Sequence, residues 1–308
     1  MAALIETIAG LRDACDRARA TGGTVGLVPT MGFLHEGHRS LMRRARDETS
    51  FVVVTIFVNP LQFGPTEDLG RYPRDLAGDL VACDTEDVDL VFAPSVAEMY
   101  PRPSATTVHV AGLTDGLCGE HRPGHFDGVT TVVTKLFAIA GPCRAYFGRK
   151  DAQQVAVVAR MAADLDLPVE VLACPLVRES DGLALSSRNA YLAPADRAAA
   201  PVLFRALRAA TESVIAGERD AHVLDVRIRE VVATEPAVEL EYVEVRDAAS
   251  IAPVERVDGA VLIALAARLG GTRLIDNVGI TVDGGTVGVD LGTLSEGAKP
   301  VAPSPPAS

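Results

Sequence analysis

Two histidines, His35 and His38, stand with Glu36 and Gly37 directly after the apolar run Val25, Leu27, Val28 and the break Pro29-Thr30-Met31-Gly32. The apolar run reads as a buried strand, and the charged, leucine-containing stretch over 39–49 reads as a helix. At a spacing of three, both imidazoles fall on one face if the helix has already begun. A strand-to-helix junction offers unpaired backbone N–H groups and the positive end of a helix dipole, which together suit phosphate oxygens. Gly37 removes a side chain between the histidines and lets a ligand approach the backbone. A plain surface pair is the ordinary alternative. Zinc is the poorer one, because no Cys or further His stands nearby at ligand spacing.

Other polar residues fall at similar junctions. Ala145-Tyr146-Phe147 reads as a strand, followed by Gly148-Arg149-Lys150-Asp151 and a helix over 152–165 with Gln153 and Gln154 in its first turn. Lys150 thus repeats the placement of His35: a strand end beside a helix N-terminus. The β-branched run 51–58, apolar on both faces, suits the middle of a parallel sheet and stops at Asn59-Pro60. Gln62 in the loop beyond it can face the same crevice, since ligands of open α/β sheets bind at the carboxyl ends of strands, though on its own it reads more readily as a polar amide in a turn. The loop 117–126 carries Arg122 and His125, both able to hold anions, and Asp127 can cap a helix over 129–140. Arg178–Asn189 is a polar loop containing Ser186, Ser187 and Arg188. It is either an interdomain linker with a helix cap or a mobile loop that closes hydroxyls and a guanidinium over a polyphosphate.

The elements that must position these groups follow from periodicity. Leu4, Ile5, Ile8 and Leu11 predict an opening helix over 3–20, and a further helix is expected over 75–86. Strands are expected over 88–92 and 169–172, with a β-rich stretch through 106–110. The alternation predicts an α/β fold with a doubly wound parallel sheet over residues 1–176. No GxGxxG and no GxxxxGK[ST] occurs, so neither the dinucleotide fingerprint nor the P-loop applies. Helices over 194–216 and 221–233, with strands over 239–246, 260–269 and 272–280, predict a smaller α+β domain over 177–282. The Gly-, Pro-, Ser- and Ala-rich remainder, 283–308, is expected to be a disordered tail.

Composition narrows the function. The chain has 308 residues, enough for two domains, and a net charge of −12 that argues against a general nucleic-acid surface. Its five cysteines, widely spaced and with no Cys-x-x-Cys, suit reduced structural thiols in a cytoplasm. No signal peptide and no apolar run long enough to span a bilayer is present, so a soluble cytoplasmic protein with no membrane partner is expected.

The stretches PTMGFLHEGH (29–38), IFVNPLQFG (56–64), YPR (72–74), RPGHFDGV (122–129), FGRKDAQQ (147–154) and DGLALSSRN (181–189), in this order and spacing, resemble the pantothenate synthetase (pantoate–β-alanine ligase) family. The likeness runs from about residue 24 to 281. The family is one of the HxGH nucleotidyltransferases, Rossmann-like and related in fold to class I aminoacyl-tRNA synthetases. The resemblance implies that ATP and (R)-pantoate give pantoyl adenylate and pyrophosphate, and that β-alanine then displaces AMP. It implies a Mg2+ requirement and a homodimer.

Carried over by position, the resemblance implies that His35 and His38 hydrogen-bond phosphate oxygens, His38 being the better proton donor toward the leaving group. Lys150 supplies a fixed positive charge, and Ser186, Ser187 and Arg188 hold the polyphosphate. Met31, Gly32, Leu34, Glu36, Gly37, Gly148, Asp151, Val177 and Leu185 complete the ATP site. Gln62 and Gln154 grip pantoate, with Gln62 also near β-alanine, while Arg122 and His125 support from behind. Asp79 matches an acidic position associated with Mg2+ in some relatives. The chemistry suits these groups: pantoate's carboxylate is ionised at neutral pH, so adenylation needs alignment and charge neutralisation rather than a base.

The chain departs from the family pattern at Arg149 and Ala152, where Glu and an aromatic are usual, and at Phe33, bulkier than the usual residue. A nucleotidyltransferase with another acceptor is the alternative among enzymes, which Gln62 and Gln154 disfavour. A nucleotide-binding regulatory module is disfavoured by the retained charge-neutralising set, and an RNA-binding relative by the acidic balance.

Overall fold

The computed structural model describes residues 2–65 and 67–295. Contacts divide the chain into two compact units, one of Met1–Arg149 with Gln153–Cys174 and one of Lys150–Ala152 with the chain from Pro175 onward.

The first unit is built on a six-stranded, wholly parallel sheet. In chain order it comprises β1 (Ala3–Ile5), α1 (Ile8–Ala20), β2 (Val25–Thr30), α2 (Glu36–Glu48), β3 (Phe51–Ile56), α3 (Leu76–Thr85) and β4 (Leu90–Phe92). The one-turn helices α4 (Val96–Met99) and α5 (Cys118–His121) come next. Then follow α6 (His125–Ala140), β5 (Cys143–Gly148), α7 (Ala152–Asp164) and β6 (Val169–Cys174). The strand order is β1-β4-β3-β2-β5-β6, so the direction of winding reverses between β2 and β5. Such a reversal parts the loops at the strand carboxyl ends and makes a crevice there. Here β2 pairs with β3 along its whole length but with β5 only at Gly26 and Leu27. Pro29, which lacks an N–H, lies in the part of β2 that has left β5.

Burial explains the sheet. Val52, Val53, Val54 and Thr55 of β3 are all fully buried, as a central parallel strand covered on both faces requires. Leu41, Met42 and Ala45 of α2 pack with Val28, Val54, Val91 and Tyr146 on one face. All five cysteines are buried, and none of them is in a disulfide. Burial pushes four of the thiols up: Cys15 to about 11, Cys83 and Cys143 to about 12, and Cys174 in the same direction.

The second unit contains β7 (Val177–Arg178), α8 (Pro194–Ala199), α9 (Val202–Ile215) and α10 (Ala221–Val232). After these come β8 (Val238–Asp247), β9 (Gly259–Leu269), β10 (Thr272–Asp283), β11 (Thr286–Asp290) and β12 (Thr293–Leu294). Strands β8 to β11 form an antiparallel sheet in the order β11-β10-β9-β8, and β12 pairs with β7 in parallel. Leu203, Ala206, Leu207, Ala210 and Val214 recur at helical spacing along α9. They pack on Ile263, Leu265 and Ala267, among other apolar residues of the sheet. Among the described residues no helix is long and apolar enough to cross a membrane.

Several predicted elements are corrected. Leu4 and Ile5 belong not to α1 but to β1, which pairs with β4 and so takes its conformation from residues far away in sequence. The expected β-rich stretch at 106–110 forms no strand. Its backbone is taken up by α6, where Thr131 Oγ1 accepts from Val108 N–H at 3.0 Å and Thr130 Oγ1 donates to Val108 O at 2.5 Å. Helix α6 starts earlier than predicted, behind Gly124 (φ +79°), so Asp127 lies inside its first turn and pairs with His109 Nδ1 at 2.8 Å. The helix expected over 194–216 breaks at Ala200-Pro201 into α8 and α9. The tail expected from 283 holds β11, paired along its length with β10, and β12; its part beyond 295 lies outside the described residues.

Candidate active site

The turn from β2 to α2 is built around a buried carboxylate. Gly32 (φ +83°) and Phe33 (φ +52°) are both left-handed, the second a conformation that costs a side-chain-bearing residue about 1–2 kcal/mol. Asp79, at the start of α3 and only 3% exposed, offsets this cost. Its Oδ2 accepts from Phe33 N–H at 2.9 Å and its Oδ1 from Leu34 N–H at 2.7 Å. Burial pushes the Asp79 carboxyl up, against the pull of these two N–H groups. A Cβ at Gly32 would come within 2.8 Å of Asp79 Oδ2, so only glycine fits. Both oxygens of Asp79 thus hold the backbone ahead of His35. Among the described residues no three His, Cys, Asp or Glu side chains gather as a metal site.

The two histidines begin α2 together. His35 is the N-cap and His38 the third helical residue, with ring centroids 4.0 Å apart. His38 Nδ1 accepts from the backbone N–H of His35 at 3.3 Å. A neutral imidazole that accepts at one nitrogen carries its proton on the other, which makes His38 Nε2 a donor. The N–H groups of Gly32, Phe33, Leu34, His35 and His38 are engaged within the turn. The helix's first two amides, Glu36 and Gly37, show no hydrogen-bond partner among the described residues, the usual state of the first N–H groups of a helix. The Glu36 side chain turns to Arg43 and Arg39 of its own helix.

Gln62 sits on the 3-10 turn Pro60–Gln62 that follows β3, and it is 9% exposed. Its Nε2 donates to Met31 Sδ at 2.9 Å and its Oε1 accepts from Asn59 Nδ2 at 3.2 Å, joining this turn to the β2–α2 turn. Asn59, which sequence reasoning passed over, holds the turn to α6 by donating to Gly128 O at 3.0 Å. A Cβ at Gly128 would lie 2.2 Å from Leu61 O, so α6 approaches the turn as closely as only glycine permits. Arg122 and His125 also support Gln62, since Arg122 Nη2 and His125 Nδ1 lie 3.3 and 2.8 Å from its carbonyl. Arg122 in turn clasps Glu67 in a two-pronged pair at 2.7 and 2.6 Å. Burial works to raise the Glu67 carboxyl, but Arg122 outweighs it and holds the group at about 2.

Of the two glutamines opening α7, Gln153 is buried and pins the loop ahead of α5. It accepts from Cys118 N–H at 3.0 Å and donates to the carbonyls of Leu113 and Gly116 at 2.9 and 2.8 Å. Gln154, one residue on, is half-buried. Gly148 ends β5, and a Cβ there would meet nothing within 4 Å.

In the second unit, Lys150 Nζ lies 3.6 Å from Asp151, which is itself about half exposed. The loop that follows Arg178 is tied down at several points. Leu185 N–H donates to Val177 O at 3.0 Å, and Asn189 Nδ2 donates to Glu179 Oε1 and Ala184 O at 3.1 and 3.0 Å. Arg197 closes it from α8 through Glu179 and Asp181, each at 2.7 Å. Ser186 Oγ accepts from Arg188 N–H at 3.2 Å and caps the 3-10 turn Ser187–Tyr191, and Ser187 is buried.

The family model for pantoate–β-alanine ligase matches residues 3–279. The chain belongs to the pantoate–β-alanine ligase family. It is 58% identical over 274 residues to the pantothenate synthetase of Roseiflexus sp. (strain RS-1), a match covering 89% of this chain and 98% of that one. With the pantothenate synthetase of Acetivibrio thermocellus (strain ATCC 27405) it shares 52% over 279 residues, 91% of this chain and 99% of that one. Among solved structures, pantothenate synthetase from Thermus thermophilus superposes with a TM-score of 0.85 at 48% identity, over 89% of this chain and 98% of that one. Pantoate–β-alanine ligase from Francisella tularensis, complexed with β,γ-ATP and β-alanine, superposes with a TM-score of 0.74 at 31% identity, over 90% and 97%. The family's mixed α/β fold, a parallel sheet followed by a separate antiparallel one, is the fold described above.

Proposed function

We propose that this chain joins (R)-pantoate to β-alanine at the expense of ATP, through a pantoyl-adenylate intermediate, releasing pyrophosphate and then AMP. The observation that carries the reading is the β2–α2 turn. It presents the amides of Glu36 and Gly37 and a His38 whose Nδ1 is occupied as an acceptor, all at the switch point of a parallel sheet.

In the first step an oxygen of pantoate's carboxylate bonds to the α-phosphorus of ATP, and the bond to the leaving pyrophosphate breaks. The nucleophile is already ionised, so the protein's work is alignment and the neutralisation of charge building on the phosphates. His38 Nε2–H and His35 donate to phosphate oxygens, and Lys150 adds a fixed charge. Ser186, Ser187 and Arg188 hold the polyphosphate, with backbone around Met31, Leu34, Gly148, Val177 and Leu185 framing the nucleotide. Gln62 and Gln154 orient pantoate. Gln62 is already set by Met31 and Asn59. In the second step the uncharged amine of β-alanine attacks the acyl carbon, AMP departs, and the nitrogen loses a proton.

ATP is read here as a substrate. The described residues offer no cage for Mg2+, so the metal is expected to arrive as counter-ion of the ATP phosphates. A cytoplasmic homodimer is part of the same reading and rests on family likeness and the reduced thiols. The deciding experiment is isotope exchange between pyrophosphate and ATP with Mg2+ and without β-alanine. Exchange that requires pantoate supports the adenylate. Folded, ATP-binding protein that gives no exchange with pantoate rejects it.

A further inference from the structure

Strand β10 contains an anomaly. Leu274, Val278 and Ile280 supply core, yet Asp276 and Asn277 between them are polar and only 2% and 6% exposed. Local pattern breaks of this kind tend to mark function rather than folding.

The two residues connect segments far apart in sequence. Asp276 receives Arg178 Nη1 and Nη2 at 2.7 and 2.9 Å, a buried two-pronged pair. The remaining Arg178 contacts are the carbonyls of Gly182 at 3.0 Å, Leu291 at 2.6 Å and Asn277 at 3.1 Å, and its guanidinium lies over the Phe204 ring at 4.1 Å. Arg178 is thus the root of the loop that carries Ser186, Ser187 and Arg188. Asn277 also reaches the other way: its Nδ2 donates to the backbone carbonyl of Lys150 at 2.9 Å. A buried ion pair is weak evidence for stability, since apolar replacements often match it. What it supplies here is fixed geometry.

We infer that Asn277 is a positioning residue, joining the backbone at Lys150 to the root of the Ser186–Arg188 loop and so fixing where the lysine charge stands. The inference rests on the ligase reading above. Asn277 acts on the site through the backbone of Lys150 and through Arg178 rather than on the substrate itself.

The test is a double-mutant cycle on pantoate-dependent pyrophosphate–ATP exchange, using Asn277→Ala, Lys150→Ala and the pair in the full chain. Asn277→Ala is expected to lower the exchange kcat by roughly ten- to a hundredfold, the effect of a misplacement of about 1 Å. The KM for pantoate should stay unchanged. In the Lys150→Ala background the same substitution should cost almost nothing, because the group it positions has gone. Equal costs in both backgrounds, or full activity of Asn277→Ala, overturn the inference. If Asn277→Ala does not fold, Asn277→Asp has the same shape, lacks the donor toward Lys150's carbonyl when ionised, and is put through the same cycle. Wild-type protein without pantoate-dependent exchange marks failure of the ligase reading instead, so the two failures are separable.

Discussion

Oδ1 of Asp79 lies 2.7 Å from the backbone nitrogen of Leu34, and its second oxygen holds the neighbouring Phe33, whose φ is +52°. The carboxylate keeps in place a backbone conformation that Phe33 would not choose. Asp79→Ala leaves two amides without their acceptor and should cost about 2–6 kcal/mol, at 1–3 kcal/mol for each lost partner. Urea unfolding measures it. In Asp79→Asn the Mg2+ concentration giving half-maximal exchange should equal that of the wild type; a tenfold rise would return Asp79 to the metal.

His38→Ala separates folding from chemistry. It removes the acceptor for the N-cap amide, worth about 0.5–2 kcal/mol, and a donor to charged oxygens, worth roughly 10²–10³ in rate. Adenylation should therefore collapse while the melting temperature falls by only a few degrees. Near-normal exchange in a folded variant would remove His38 from its assigned role.

Gly128→Ala probes the seat of Gln62. The new methyl would lie 2.2 Å from Leu61 O and 2.6 Å from Gln62 Cα, so the 3-10 turn must move away from α6. Overpacking of this kind typically costs about 1–3 kcal/mol. The KM for pantoate should rise well above any change in the KM for ATP. Equal changes in both would mean that Gln62 does not face pantoate.

Glu67 gives the pH dependence. Its folded value, held at about 2 by Arg122 against an ordinary 4.5, means that the charged form favours folding. Its contribution is complete above the ordinary value and disappears as pH falls toward the folded one. The urea midpoints of wild type and Glu67→Gln should accordingly differ at neutral pH and converge over that interval. Midpoints that diverge on acidification would refute the pair.

The parts of this site that were legible in the sequence are local ones. The apolar run that leads into His35 and His38 marks its own strand-to-helix junction, although β2 continues through Pro29, where a break is expected, to Thr30; the β-branched run of β3 announces a buried parallel strand. What stayed hidden depends on partners distant in the chain. Ala3–Ile5 is a strand only because β4 is beside it, and residues 106–110 are not one because Thr130 and Thr131 take up their backbone. The identity of Asp79 was plain, but its task depends on the positive φ of Phe33, which no motif records. Likewise Ser186–Arg188 could be singled out as a polar loop, while the buried Arg178 and Asp276 that anchor it are 98 residues apart.

The closed-in thiols give the protein a practical property. With every native cysteine buried and four of them shifted against ionisation, a maleimide at neutral pH meets no reactive native sulfur. A single cysteine introduced by Leu61→Cys, at a side chain 45% exposed and next to Gln62, would then accept one dye without first stripping out the natural ones. Substrate arrival at that turn would be read as a change in fluorescence, on the wild-type background, in real time.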